Sequence, residues 1–312
     1  MRQYVFRRLL QLIPILIGIT VLAFALMHTT ADDVVDRMYE TTGTVSEEVK
    51  EAKRQELGLD KPLPVQYLSW LGGMLTGDMG ESYVSGKSVF GTFAEKLPNT
   101  ILLTVTSVLV TIGLSVPLGI AAAVRQNRIT DYLIRFLSFI GNSLPGFFLS
   151  LLLIYVFSVK LEWLPVMGNQ GMKSVILPTA TLSVSMAAKY TRQIRATVLE
   201  ELKKDYVTGA RARGVGEQVI LWRNVLKCAM LTISTLLALS IGSLLGGTAI
   251  VESIFMWDGV GKMAVDAILM KDYPIIQAYV VWMAVIYVAV NLATDLLYHY
   301  LDPRVRLGKE ES

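Results

Sequence analysis

The chain has 312 residues, 53% of them hydrophobic and only 18% charged. A water-soluble protein of this length needs a more polar surface, so the composition excludes one and makes lipid the solvent for much of the chain. The net charge of +3 is small, and the basic residues gather at the ends of apolar blocks, which excludes a nucleic-acid partner.

In chain order, Arg2, Arg7 and Arg8 precede a first apolar block at residues 9–27. Five more follow, at 101–124, 133–159, 176–194, 230–251 and 273–297. About 20 residues of helix cross a bilayer core of roughly 30 Å, and no alternating barrel pattern is present, so six transmembrane helices are expected. The first block is too long for a secretory-signal core and lacks a small-x-small cleavage site, so it is expected to stay as a helix. The fourth carries Thr179, Thr181, Ser183 and Ser185, which suits a helix packed inside the bundle. Pro117, Pro145 and Pro178 are expected to kink or start helices.

Between the first two blocks, residues 29–98 are long and acid-rich, with Asp32, Asp33, Asp36, Glu40, Glu47, Glu48, Glu51 and Glu56. Thr44-Val45-Ser46-Glu47 reads as a capping box opening a helix that Gly58 ends. A second short helix, at about 65–75, is apolar nearly all round and is expected on the outer bundle surface or in the membrane interface. Lys and Arg crowd the N-terminus, the second connection (Arg125, Arg128, Arg135), the fourth (Lys189 to Lys227) and the C-terminus (Arg304, Arg306, Lys309). All four lie on one side of a six-span chain, so both termini are expected in the cytoplasm.

The fourth connection is the most informative. Leu199, Leu202, Tyr206, Gly209 and Arg213 follow helical spacing up to Gly214, and Val219, Trp222 and Leu226 resume it beyond Gly216. Small residues at Gly209, Ala210 and Ala212 admit a close approach by another surface, as in a short helix shaped for a groove on a partner protein. The alternative is a basic loop lying on anionic headgroups. Elsewhere, Glu252 stands near the end of a span as a candidate gate or as a residue that is solvated or holds the outer loop containing Trp257 and Asp258. Asp295 is expected to pair with Arg304 or with another subunit.

One cysteine, Cys228, allows no intrachain disulfide, and two histidines, His28 and His299, stand far apart in sequence. No metal site, cofactor or catalytic cluster is expected, and without a G-x-x-x-x-G-K-S/T loop the chain does not hydrolyse ATP alone.

The stretch "DYVTGARARG" at 205–214 resembles the coupling loop of permease subunits in bacterial ATP-binding-cassette (ABC) importers. With "FRRLLQLIPIL", "LGLDKPLPVQYLSWLGGMLTGDMGESY", "LEWLPVMG", "ILPTATLS", "GGTAIVESIFMWDGVGKMAVDAILMKDYPIIQ" and "DLLYHYLDPRVR", the chain is similar over nearly its whole length to the first, B-type, permease of the peptide/nickel branch. It departs from that family's pattern at Thr208 and Gly209, where Glu and Ala are general, and at Thr232 and Asp258, where Pro is usual.

The resemblance implies an all-α membrane protein with the type I importer (MetI-like) fold. It implies an N-terminus and first helix at 1–28, an extracytoplasmic helical segment at 29–98, a five-helix core at 99–298 with a coupling loop at 195–228, and a cytoplasmic tail at 299–312. Asp205, Tyr206, Gly209, Ala210, Arg211 and Gly214 would contact the ATPase. The implied partners are a second, homologous permease, two ABC ATPases, an extracytoplasmic solute-binding protein and membrane lipid, in the bacterial inner membrane. The cargo would be nickel, in chelated form, or di- and oligopeptides, with "LEWLPVMGNQGMKSVILP" leaning toward nickel. The rival class is an ATP-independent secondary transporter or channel, which needs inverted repeats or a ring of charged pore residues.

Overall fold

The structure, a computed structural model, describes residues 2–30, 35–36, 39, 45–166, 168 and 171–301. All of its named elements are helical. The chain divides into two compact units: residues 1–98 with 262–288, and residues 99–261 with 289–312.

The first unit contains α1 (Arg2–Thr30), α2 (Glu47–Glu56) and α3 (Leu63–Thr76). Helix α2 opens at Ser46, whose side chain makes no capping bond; the expected box rests on Thr44, which lies outside the described residues. Gly58 ends the helix with φ +67°, a left-handed conformation that glycine adopts without strain. Helix α3 turns Tyr67 and Trp70 onto Phe24 of α1, with ring centroids 5.5 and 5.9 Å away. Its other side leaves Leu63, Val65, Leu68 and Leu75 exposed, an apolar face suited to the membrane interface. The loop after α3 is pinned by Asp272, whose carboxylate accepts from Ser82 Oγ at 2.5 Å and from the Tyr83 amide at 3.1 Å. Burial, reinforced by the Asp272 charge, pushes the Tyr83 phenol up to about 12.

The second unit is built on α4 (Val89–Val124, from Asn99 onward), α5 (Ile129–Ser143), α6 (Gly146–Leu153), α7 (Ile176–Leu202) and α9 (Leu226–Ile254), with α8 (Asp205–Ala212) between the last two. Helices α10 (Val260–Met270) and α11 (Tyr273–Leu301) complete the chain. Helix α7 is the central element: Thr179, Thr181 and Ser183 are buried, as its polar composition predicted. Thr179 Oγ1 lies 2.9 Å from Thr106 Oγ1, and Ser183 Oγ donates to the Ser107 carbonyl at 3.1 Å, both on α4. Bare backbone at Gly141 lets α5 close on Ala188 of α7. Beyond it, Asp131 and Arg195 join the same two helices by an ion pair.

Among the described residues, two helices are long and apolar enough to cross a membrane, Val89–Val124 and Tyr273–Ala293, or up to three if one bent pair counts as a span. Helices α1, α7 and α9 occupy three other expected positions with 29, 27 and 29 residues. The third expected span is not one helix. It breaks between α5 and α6, which diverge by 101°. Leu144, preceding Pro145, is driven out of the helical region to ψ 126°, and Pro145 then starts α6. A π-helical segment, Ile154–Lys160, follows.

Candidate functional site: the loop between α7 and α9

The site is built from the end of α7 to the start of α9. Helix α7 ends at Leu202, and Lys204 swings to ψ 152° before α8 begins at Asp205. The helical spacing read from Leu199 to Arg213 therefore does not run through one helix, because this break resets the register. Helix α8 turns Val207 and Ala210, three residues apart, inward. They join a cluster with Ile194 and Val198 of α7, Ile220 and Val225 of the returning limb, and Leu226, Ala229 and Ile233 of α9. Ala210 is only 1% exposed. It was expected on the docking face and instead fills the loop's own core.

The end of α8 is closed by a Schellman motif: Val215 N–H donates to the Ala210 carbonyl at 3.2 Å, and Gly214 N–H to the Arg211 carbonyl at 2.9 Å. Gly214 has φ +75°, the left-handed residue this motif needs. Arg211 reaches across the turn to Glu217 with bonds of 2.6 and 3.1 Å, which hold the Glu217 carboxyl below its usual range. Arg211 is thus committed in part to bracing the loop.

The outward face carries Asp205, Tyr206, Thr208, Arg211, Ala212 and Arg213, with Gly209 half-buried among them. A Cβ added to Gly209 would meet nothing within 4 Å, so the surface above it is open. Tyr206 hydroxyl donates to Glu201 at 2.9 Å, and Lys204 pairs with the other oxygen of that carboxylate at 2.6 Å. Burial and the Glu201 bond together push the Tyr206 phenol well above its ordinary value.

In the returning limb, Val219, Trp222 and Leu226, which share the resumed helical spacing, do not share one environment: Val219 and Trp222 are exposed and Leu226 is buried. Residues Ile220–Val225 form a π-helical turn, whose wider spacing shifts the register and buries Ile220 and Val225 instead.

At the far end of α9, Glu252 is fully buried and not a solvated boundary residue. Thr100 Oγ1 donates to Glu252 Oε1 at 2.8 Å and accepts from the Val260 amide at 2.9 Å. Asn99 Nδ2 donates to the Asp258 carbonyl at 2.8 Å, and Trp257 Nε1 donates to the Asn99 carbonyl at 3.1 Å. Glu252 is thus linked through Thr100 to the start of α10 at Val260. Trp257 is buried within this knot. The predicted pairing of Asp295 involves Arg304, which lies outside the described residues.

A polytopic helical chain with a short, self-packed helix projecting between two long ones is the architecture of an importer permease. Comparison with known proteins agrees. The description "Binding-protein-dependent transport system inner membrane component" matches residues 115–307, and the description of its N-terminal part matches residues 1–104. The chain is 39% identical over 316 residues to the oligopeptide transport system permease protein AppB of Bacillus subtilis, covering 98% of this chain and 99% of that one. It is 38% identical over 306 residues to the glutathione transport system permease protein GsiC of Escherichia coli, with the same coverage. The inward-facing MetNI methionine ABC transporter aligns with a TM-score of 0.57 at 17% identity, over 67% of this chain and 96% of that one, which shows a shared fold.

The chain belongs to the permeases of binding-protein-dependent ABC importers, in their peptide/nickel branch. It is a membrane transport subunit and not an enzyme; ATP hydrolysis belongs to a separate subunit of such importers.

Proposed function

We propose that this chain forms half of the translocation pathway of an importer for small peptides, paired with a second, homologous permease, two ATPases and a solute-binding protein, with both termini in the cytoplasm. The peptide assignment is supported by relatives named for oligopeptides and for glutathione, itself a tripeptide. Neither is named for nickel, so peptide takes the place of nickel as the favoured cargo.

The observation that carries the coupling role is the two-sided construction of α8. Its inner face, Val207 and Ala210, is locked into the ends of α7 and α9, while its outer face stays open at Gly209. A partner that grips Tyr206, Gly209 and Arg213 moves α7 and α9 with it, because a close-packed cluster transmits displacement instead of absorbing it. Closure of the ATPase pair on ATP would then rock the spans from inward-open to outward-open as rigid units.

The test is reconstitution of this chain with its partners in liposomes, with ATP inside and the binding protein outside, and measurement of labelled tripeptide uptake. ATP-dependent uptake requiring every subunit is expected. Uptake by this chain alone, driven by an ion gradient, would establish the rival class of secondary transporter.

A further inference from the structure

We infer that the second unit carries an anionic-phospholipid site between the end of α4 and the start of α9. A cavity of about 690 Å³ lies there, within the ~300–1,000 Å³ typical of ligand clefts. Its walls are apolar: Val116, Ile120 and Val124 of α4 face Leu221, Leu226 and Met230. Its charged residues are both cations, Arg125 at the end of α4 and Lys227 at the start of α9. Neither pairs with a carboxylate among the described residues. Trp222 stands at the same end, 65% exposed.

The polarity is graded along the cavity. Two helix ends place both cations and the indole at one end, and the two helices continue away from them as apolar wall. That gradient matches one molecule, a phospholipid with its phosphate between Arg125 and Lys227 and an acyl chain along the trough. Basic pockets between membrane helices select anionic headgroups, and Trp settles at the headgroup level. A partner helix would leave both cations buried without a counter-charge unless it carried acids at that depth. The occupied groove would tie the returning limb of the loop to the membrane surface. The site is independent of the docking face of α8, whose open residue Gly209 is not among its walls.

The experiment uses the assembled importer in nanodiscs with a photoactivatable phosphatidylglycerol or, in parallel, a phosphatidylcholine probe. Labelling is mapped to residues 116–125 and 221–230. Phosphatidylglycerol is expected to label both stretches and to be displaced by unlabelled phosphatidylglycerol but not by phosphatidylcholine. Arg125→Gln with Lys227→Gln should weaken the anionic probe by roughly thirtyfold, about fivefold for each charge removed. Co-purification of the ATPases with this double variant shows that the fold and assembly are intact. Equal labelling by both probes, or an unchanged affinity in the double variant, overturns the site. So does a cross-link from a Trp222→Cys variant to the second permease with no lipid labelling, which would make the groove a subunit interface.

Discussion

Arg195 of α7 grips Asp131 of α5 with two parallel bonds, Nε to Oδ1 at 2.7 Å and Nη2 to Oδ2 at 2.8 Å. Asp131 is fully buried, and one of its oxygens also accepts from the amide of Asn127, whose own φ is 60°, at 3.0 Å. The pair thus fixes both the α4–α5 turn and the crossing of α5 on α7, close to the loop that carries α8. The guanidinium holds the Asp131 carboxyl below the usual carboxylate range.

Breaking this pair from one side leaves a buried charge without its partner. Arg195→Gln is expected to destabilise the second unit by about 3–5 kcal/mol. The pH dependence follows from the depressed carboxyl. Its contribution is complete above the unfolded-state value of about 3.9 and is lost as pH falls through the lower folded value. Thermal unfolding of the purified protein between about pH 6 and 3 checks this. Wild type should lose stability toward the acid end, and Asp131→Asn should start lower and change less. Parallel curves for the two proteins would contradict the assignment.

Gly209 and Ala210 are neighbours in sequence and opposites in role. Gly209→Trp meets open space, so the chain should insert normally while ATPase capture and uptake drop roughly tenfold or more. Ala210→Trp should instead overpack the loop core by about 1–3 kcal/mol and lower the amount of folded protein. Membrane level, ATPase pull-down and uptake, measured together, separate the two. Normal capture and transport in Gly209→Trp would remove α8 from the docking surface, since a headgroup-bound helix tolerates an added Trp.

The knot around Glu252 yields a third expectation. Thr100→Val deletes a hydroxyl that both donates to Glu252 and accepts from Val260, leaving the buried Val260 amide without this bond and taking one bond from Glu252, at a cost of about 1–3 kcal/mol. Thr100→Ser should restore most of the loss. Gly259→Ala should be at least as damaging, because its methyl would collide with Glu252 Oε2 and Thr100 Oγ1. Melting temperature in detergent is the measurement. A Thr100→Val protein as stable as wild type would mean that Glu252 is held by other contacts.

For topology, single cysteines at Ser46 and Ser312 are placed in a Cys228→Ser background. An impermeant thiol reagent on intact cells should label position 46 and spare position 312. The reverse pattern would invert the orientation drawn from the Lys and Arg distribution.

The sequence alone determined that this chain lives in lipid, where most of its long apolar helices fall, and which family it joins. Those follow from local facts: apolar length, charge at block ends, and short motifs in order. The break at Gly214 was legible for the same reason, since a glycine after a helix is a local signal. What the sequence left open depended on register across breaks. The extended Lys204 and the π turn at 220–225 each shift the count of residues per turn, so only the folded loop decides that Val207, Ala210, Ile220 and Val225 point inward and Trp222 outward. The 101° bend at Leu144-Pro145 was visible as a proline but not as an angle, because neighbouring helices set its direction. The contacts Asp131–Arg195, 64 residues apart, and Thr100–Glu252, 152 residues apart, have no local signature. Burial turns these side chains into structural members, and burial is a property of the packed helices that no short stretch of sequence contains.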